Sequence, residues 1–319
     1  MILVLPVFRH SFAMVLRACT CLGWLVLILV AAQSGHAQVV TVSVVPEADA
    51  FLRSAQPTNN FGGAGAIGVS GSAATNAGDQ QNGLYDSLIR FPLANIRASF
   101  DTVFGPHDWL VLGATLTLIE MGSPPNAIFN KGVGGFEIRL VSSNSWVEGI
   151  GTPGSPTTDG ITWDNMPLLL NPAADVTLGI FTNSGTDATL SFPLPLKPEL
   201  VSKIVSGIPV TFYLTAASPQ IGFTALSRSF LPTNNAPILG IVAAPNPHPG
   251  IDALQVSNGT SVISFATVSN WNYSLQSASE IKGPWTNVSV FPAMPTNSHV
   301  AYAKPASGAQ RFYRLFLAR

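Results

Sequence analysis

Two stretches, Asp49-Ala-Phe-Leu-Arg53 and Ser87-Leu-Ile-Arg-Phe-Pro-Leu93, each place charge inside an otherwise apolar strand. Asp49 and Arg53 stand among alanine, phenylalanine and leucine, and Arg90 stands between isoleucine and phenylalanine. A charged side chain in such a strand faces solvent, pairs with another charge, or serves a ligand. The rest of the sequence helps to choose among these three roles.

Alternation of apolar and polar residues recurs through the chain and predicts strands. It is clearest in the segments 112–118, 136–140, 190–192, 210–215, 221–225 and 238–242. Only the segment 197–206, with Pro198 near its start, has the spacing of a short helix. Two stretches rich in glycine, 62–83 and 149–160, are predicted to be surface loops.

These patterns predict an all-β protein of two domains. We expect a jelly-roll-like β-sandwich over residues 38–243 and a small fibronectin- or immunoglobulin-like β domain over residues 251–319. Between them, residues 244–250 read Ala-Pro-Asn-Pro-His-Pro-Gly, which predicts a stiff, proline-rich linker.

The first 37 residues have the pattern of a Sec signal peptide. Arg9 and Arg17 precede an apolar core over residues 22–32, and Gly35-His-Ala37 supplies the small residues before a cleavage site after Ala37. We expect a bacterial protein that is secreted or held at the cell surface, with no membrane contact after cleavage. A retained N-terminal anchor is the alternative.

The composition of the mature chain limits the classes of partner that we expect it to bind. The segment 1–37 contains two of the 15 basic residues and none of the 16 acidic ones, so the mature chain keeps 13 basic and 16 acidic residues. This balance gives no reason to expect a nucleic acid partner. Both cysteines, Cys19 and Cys21, leave with the signal, which predicts a product without disulfides or cysteine metal sites.

Eight blocks of the sequence, in order, resemble the successive blocks of the DNRLRE domain family. The blocks are Ala48-Asp-Ala-Phe-Leu-Arg-Ser54, Asn60-Phe-Gly62, Ser87-Leu-Ile-Arg-Phe91, Leu112-Gly-Ala-Thr-Leu-Thr-Leu118, Trp146-Val-Glu148, Ile161-Thr-Trp-Asp-Asn-Met-Pro167, Phe223-Thr-Ala-Leu-Ser-Arg-Ser229 and Ala236-Pro-Ile-Leu239. The resemblance implies a secreted, all-β domain that binds extracellular polysaccharide, in some members an acidic one, without catalysis.

The tail also resembles a known module. Tyr273-Ser-Leu-Gln-Ser-Ala-Ser279, Gly283-Pro-Trp285 and Phe312-Tyr-Arg-Leu315 look like a small C-terminal β module that is common in secreted bacterial proteins. This resemblance implies a fold and no particular activity.

Catalytic motifs are absent from the sequence. There is no Gly-x-Ser-x-Gly, His-Glu-x-x-His or phosphate-loop pattern. The histidines of the mature chain, His107, His248 and His299, have no metal-ligand spacing. We therefore expect no enzyme and no cofactor; a structural Ca²⁺ at Asp49 has no ligand run to support it. The alternatives to a polysaccharide-binding protein are a surface or matrix structural or adhesion protein and, third, a polysaccharide hydrolase or lyase.

The strand charges have two interpretations. In the preferred one, Asp49, Arg53 and Arg90 form a structural ionic network, because charges held within strands usually pair internally. In the other, Arg53 and Arg90 line a sheet face and bind a sugar carboxylate, which suits the guanidinium fork.

The aromatic residues divide in the same way. Tyr85 and Trp109 flank loops and are candidate platforms on which a pyranose ring stacks. Trp146 and Trp163 lie in family blocks and are predicted to be core anchors beneath a loop.

Overall fold

Strands dominate the part of the chain that the structure describes. This computed structural model describes residues 39–318 apart from positions 77, 82, 122–127, 186–188, 231–234, 270 and 307–310, so the predicted signal peptide, 1–37, lies outside the described residues. The elements are β1 (Val40–Val44), β2 (Ala48–Arg53), β3 (Ala66–Ser70), β4 (Tyr85–Phe91), α1 (Ala94–Phe104), β5 (Trp109–Ile119), β6 (Gly134–Val141), α2 (Met166–Leu169), β7 (Val176–Asn183), β8 (Thr189–Leu194), α3 (Pro198–Ser206), β9 (Val210–Ala216), β10 (Gly222–Leu226), β11 (Ile238–Pro245), β12 (Ala253–Ser257), β13 (Thr260–Thr267), β14 (Asn272–Ala278), β15 (Thr286–Phe291), β16 (Ser298–Pro305) and β17 (Phe312–Ala318).

Two antiparallel sheets form a sandwich, which confirms the all-β prediction. The four-stranded sheet has the order β1-β11-β5-β8, and the seven-stranded sheet has the order β10-β3-β4-β9-β6-β7 with β2 also paired to β4. Alternate side chains of both sheets meet in one apolar core, as successive residues of a strand point to opposite faces. Its members include Leu116, Ile241 and Phe192 from the smaller sheet and Ile89, Phe136 and Phe212 from the larger.

The sequence predicted one of the two longer helices, α3, and not the other, α1. The predicted helix at 197–206 is confirmed as α3, which places Leu200 and Ile204 in the core. Helix α1 was not predicted, although Ile96 and Phe100 have the four-residue spacing that buries one helix face. Among the described residues no helix combines the length and apolarity needed to cross a membrane.

The predicted loops have mixed outcomes. The stretch 149–160 has no regular helix or strand, as predicted. The stretch 62–83 was wrongly assigned, because β3 lies within it and is buried along its whole length. Ile67 and Val69 of β3 reach the central core, so the short apolar run outweighs the glycines that surround it.

One irregular segment, residues 143–170, packs on the outer face of the seven-stranded sheet; we call it the covering segment. Its Trp146, Ile161 and Met166 form a second core with residues of β2, β4 and β9, which include Leu88 and Tyr213. The sheet is therefore buried on both faces around β4. The candidate functional site lies in this segment.

The C-terminal strands form two three-stranded sheets, β12-β13-β16 and β15-β14-β17. They enclose a core built around Ile263, Phe265, Tyr273 and Leu275. Strand β11 continues through Pro245, so strand pairing extends into the predicted linker. The boundary between residues 243 and 251 stays a prediction, because residues 37–319 belong to one compact unit.

Candidate functional site

Arg90 of β4 holds the covering segment to the sheet. Its side chain is 19% exposed, and its Nη1 donates to the carbonyl oxygens of Asn144 at 2.9 Å and Trp146 at 2.8 Å. Its Nε donates to Glu47 Oε1 at 2.7 Å, and its Cζ lies 5.0 Å from the centroid of the Trp146 ring. Nε of the guanidinium is thus held by Glu47, while Nη1 binds the two carbonyl oxygens. Arg90 therefore positions the backbone around Trp146.

Trp146 is fixed from the other side by its indole nitrogen. Trp146 Nε1 donates to Thr211 Oγ1 at 3.1 Å, and Thr211 Oγ1 donates to Asn144 Oδ1 at 2.8 Å. A buried indole N–H ordinarily finds such a partner. Trp146 is therefore a buried anchor of the covering segment, as its sequence context predicted.

Asp49, Glu148 and Arg228 form a second attachment. The backbone N–H of Asp49 donates to Glu148 Oε1 at 3.1 Å, and the backbone N–H of Arg228 donates to Asp49 Oδ2 at 2.8 Å. The guanidinium of Arg228 closes the triangle with a two-pronged ion pair, Nε to Glu148 Oε1 at 3.0 Å and Nη2 to Oε2 at 2.7 Å. Bidentate geometry of this kind fixes direction as well as distance. It ties residue 148 to β2 and to the end of β10.

The Asp49 carboxyl has an unusual protonation equilibrium. Burial raises the pKa of Asp49 to about 7, a rise that the N–H of Arg228 opposes and the Glu148 carboxylate reinforces. The other oxygen, Oδ1, is buried and has no hydrogen-bond partner among the described residues. Asp49 therefore gains or loses a proton near neutral pH while Glu148 remains paired with Arg228.

Asn60 organises the loop that follows Glu148. The side chain is fully buried, and its Nδ2 donates to the carbonyl oxygens of Glu148 at 2.6 Å and Ile161 at 2.8 Å. Its Oδ1 accepts the N–H groups of Gly62 and Gly151, each at 3.1 Å. One amide thus satisfies four backbone groups and joins the two ends of the 149–160 loop.

The glycines of this loop are needed for close approach to Asn60. A Cβ at Gly151 would lie 2.0 Å from the Asn60 carbonyl oxygen, and one at Gly149, whose φ is +77°, would lie 2.3 Å from Asn60 Oδ1. By contrast, a Cβ at Gly154 would meet nothing within 4 Å. The loop is therefore packed at its base and open at its tip.

An open cleft of about 400 Å³ is lined entirely by residues of the covering segment. Its lining combines hydroxyl, amide and carboxylate groups with apolar side chains, namely Ser143, Ser145, Trp146, Val147, Thr158, Asp159, Gly160, Ile161, Asn165, Leu168 and Leu169. Leu168 is 89% exposed and Val147 is also exposed, so the rim presents apolar surface. Asn165 stiffens one wall, because its Oδ1 accepts the Thr162 N–H at 2.8 Å and its Nδ2 donates to the Gly160 carbonyl at 3.1 Å.

Asp159 supplies the charge of the cleft. Its Oδ1 accepts the Thr157 hydroxyl, and this hydrogen bond holds the pKa of Asp159 below its ordinary value. The side chain is exposed, so the carboxylate is ionised at neutral pH and available to accept hydrogen bonds.

The three strand charges do not meet in one network. Ala48 pairs with Arg90 across β2 and β4, and Asp49 pairs with Ile89. Because successive side chains alternate between faces, Asp49 and Arg53 lie on one face of the sheet and Arg90 on the other. Arg53 instead donates to Gln56 Oε1 at 3.0 Å and lies 5.5 Å from the Tyr85 ring centroid.

Neither proposed aromatic platform has an open ring face, which corrects that expectation. Tyr85 is buried between Phe51 and Phe129, with ring centroids 5.4 and 4.6 Å away, and burial raises its pKa to about 12. Trp109 is buried as the first residue of β5, 4.9 Å from the Phe100 ring. Both rings flank loops in the sequence but point into the core, so they contribute to packing.

The remaining site residues were not selected from the sequence as ligands. Asn60, Glu148 and Arg228 lie in blocks of the DNRLRE-like series, which marked their positions but not their contacts. Asp159 lies in a glycine-rich loop and carried no signal of its own.

The Glu148 carboxylate, which accepts the N–H of Asp49, is also bound by two nitrogens of Arg228. The described residues contain no group of three or more His, Cys, Asp or Glu side chains arranged to hold a metal ion.

No protein-family model and no curated protein matches this chain.

Proposed function

We propose that this chain is a secreted, non-catalytic polysaccharide-binding protein and that the cleft of the covering segment is its binding site. The observation that carries the proposal is the lining of that cleft, in which hydroxyls, an amide and an ionised carboxylate stand beside exposed apolar side chains. Ligand sites combine apolar contact with a few placed polar groups, in volumes of roughly 300–1,000 Å³. The cleft, at about 400 Å³, lies in that range.

Each type of group in the cleft has a counterpart on a sugar. The Asp159 carboxylate accepts hydrogen bonds from vicinal hydroxyls, and the hydroxyls of Ser145 and Thr158 both donate and accept. Val147 and Leu168 offer apolar contact to the C–H face of a pyranose ring.

The charge of the cleft narrows the class of polysaccharide. Asp159 is ionised, and a uronate carboxylate beside it would add like-charge repulsion in a partly desolvated site. A neutral, hydroxyl-rich polysaccharide avoids this cost. We therefore assign the cleft to a neutral glycan.

Export and family membership form part of the same proposal. The signal peptide pattern over residues 1–37 and the eight DNRLRE-like blocks both support a secreted polysaccharide-binding protein. The blocks that include Asn60, Arg90, Trp146, Glu148 and Arg228 contribute the side chains that hold the cleft in place.

Affinity electrophoresis tests the proposal. The mature chain is run in native gels that contain xylan, mixed-linkage β-glucan or galactomannan, with a polysaccharide-free gel as reference. We expect at least one neutral polymer to retard the wild type. Thr158→Trp, which fills the cleft, should lose that retardation. Ser155→Trp, which places the same ring at the exposed tip of the same loop, should be retarded as the wild type is. Unchanged mobility of the wild type in every gel would overturn the proposal, and no reducing ends should be released.

A surface or matrix adhesion protein is the second candidate. The observation that favours it is the exposure of apolar side chains on the covering segment, where Leu168, Ile150 and Val147 are 89%, 74% and 66% exposed. Exposed apolar side chains of this size also suit contact with a protein partner. This candidate predicts retention on a cell surface or matrix that persists after glycan removal and is lost in Leu168→Ser.

A further inference from the structure

Three motifs of the tail converge on one face of a sheet. Gln276 comes from the first tail motif, Trp285 from the second and Arg314 from the third, and they meet on the sheet β15-β14-β17. In β14 the residues Tyr273 and Leu275 are buried, whereas those that alternate with them, including Gln276, point to the outer face. The proposed cleft uses none of these residues.

A polar strip crosses this outer face in register; we call its four residues, Trp285, Gln276, Asn287 and Arg314, the Arg314 strip. Gln276 pairs with Asn287 on one side and with Arg314 on the other. Arg314 Nε donates to Gln276 Oε1 at 2.8 Å, and Gln276 Nε2 donates to Asn287 Oδ1 at 2.8 Å. These two hydrogen bonds orient the amides and the guanidinium before any ligand arrives.

The guanidinium of Arg314 is pre-positioned and still has donors to offer. Its Cζ lies 4.4 Å from the centroid of the Trp285 ring, close enough for a cation–π contact. Gly283 makes room for that ring, because a Cβ there would lie 3.0 Å from Trp285 Cδ1. Arg314 is exposed, and in the described residues only its Nε is used, so both Nη groups are left as a fork.

An apolar row runs beside the strip. Ser274 pairs with Val290 on one side and Phe316 on the other, and both of these apolar side chains are exposed, at 60% and 54%. The face therefore alternates a row of donors and acceptors with a row of apolar surface one pleat away.

The charge of the tail differs in sign from the rest of the chain. Residues 251–319 contain five basic residues, Lys282, Lys304, Arg311, Arg314 and Arg319, and two acidic ones, Asp252 and Glu280. One of the two acids, Asp252, is paired with His299 at 3.0 Å. An anionic partner is therefore favoured here, in contrast to the acidic cleft of the sandwich.

We propose that the Arg314 strip binds a carboxylate-bearing polysaccharide, a polyuronate. The Nη fork of Arg314 takes a uronate carboxylate end-on, and the Gln276 and Asn287 amides bind ring hydroxyls. The apolar row contacts the C–H faces of neighbouring rings. Side-chain amides also bind peptide groups, so the comparison with polyglutamate distinguishes an acidic peptide from a polyuronate.

Polygalacturonate is the probe, and the mature full-length chain is the protein. We expect binding in affinity electrophoresis and in titration, weakened about tenfold or more in Arg314→Gln, because charge-assisted hydrogen bonds are lost. Arg311→Gln removes the same charge from an exposed position just before β17 and should stay within about twofold of the wild type. The wild type should bind carboxyl-reduced polygalacturonate weakly, with about the affinity that Arg314→Gln has for unmodified polygalacturonate.

Four outcomes would overturn the proposal. They are no binding of polygalacturonate by the wild type, equal losses in Arg311→Gln and Arg314→Gln, equal binding of the carboxyl-reduced polymer, and tighter binding of polyglutamate, which would make an acidic protein the partner. Thr158→Trp, which fills the cleft, should leave polygalacturonate binding unchanged. The proposal for the cleft and the proposal for the Arg314 strip can therefore fail independently of each other.

Discussion

The Arg90 guanidinium lies 5.0 Å from the ring centroid of Trp146 and donates to the Trp146 carbonyl oxygen at 2.8 Å, so one side chain fixes both the ring and the backbone of its partner. The same guanidinium also binds the Asn144 carbonyl and Glu47. A charge in an apolar strand here serves to attach an irregular segment to the outside of a sheet. The proposed cleft depends on that attachment.

Arg90→Met should destabilise the protein by about 2–3 kcal/mol, because two carbonyl oxygens lose a charged donor and remain half-buried. The measurement is urea unfolding followed by tryptophan fluorescence. Arg139→Met is the matched control, since Arg139 forms an ion pair with Glu137 on β6 at 38% side-chain exposure and should cost less than about 1 kcal/mol. Equal losses in the two variants would show that Arg90 is an ordinary surface ion pair.

Asp49 should make the protein less stable as pH rises from about 4 to about 7. Its folded pKa of about 7 lies above its ordinary value of 3.8, so the folded state binds the proton more tightly than the unfolded state does. The contribution of Asp49 to the free energy of unfolding is fully present below about pH 4, decreases between about pH 4 and 7, and is lost above that range. The full loss is of the order of 4 kcal/mol at most.

Asp49→Asn isolates this effect. The amide keeps an oxygen for the Arg228 N–H and cannot ionise, so the variant should lose the contribution of Asp49 to the slope between pH 4 and 7. Unfolding free energies at pH 4, 5.5 and 7 measure it. Parallel pH profiles for the wild type and Asp49→Asn would contradict the assignment of the raised pKa.

Two glycines of one loop should differ in what an alanine at their position costs in stability. Gly151→Ala places a Cβ 2.0 Å from the Asn60 carbonyl oxygen and should cost more than about 2 kcal/mol, because the backbone there cannot move without breaking the Asn60 hydrogen bonds. Gly154→Ala meets nothing within 4 Å and should change stability by less than about 0.5 kcal/mol. Similar melting temperatures for the two variants would mean that the base of the loop is not packed against Asn60.

Asp159→Asn should weaken binding to the neutral polymer identified by electrophoresis while it lowers the melting temperature only slightly, because the exposed side chain keeps an oxygen for the Thr157 hydroxyl. The side chain is exposed, and the substitution keeps its shape while it halves its acceptors and removes its charge. Glu199→Gln, at the exposed first turn of α3, is the control and should bind as the wild type does. A loss of stability in Asp159→Asn that matches its loss of binding would make Asp159 structural.

The strands could be predicted from the sequence because alternation records which face is buried. Ala114, Leu116 and Leu118 alternate with polar residues in the sequence and are buried in β5, whereas Leu112, beside the register shift of β11, is exposed. Helix α1 was missed because it buries only Ile96 and Phe100, and so short an apolar pattern is weak beside the strands around it. Strand β3 was missed because its glycine-rich surroundings concealed a buried run.

The site could be predicted only in its parts. That Asp49 and Arg90 lie in strands was readable, but their placement on opposite faces follows from the register of β2 against β4, which a sequence does not state. The contact between Asp49 and Arg228 joins residues 179 positions apart. Tyr85 and Trp109 were misplaced because proximity to a loop does not fix which face a strand residue takes.

Hydrogen–deuterium exchange of the mature chain, with and without the neutral polysaccharide that retards it most among xylan, mixed-linkage β-glucan and galactomannan, tests the central claim most directly. The predicted result is added protection in peptides that cover residues 143–147, 158–161 and 165–169, with β2 and β4 unchanged. Protection confined to other surfaces, or no protection at a saturating concentration, would contradict the assignment of the cleft.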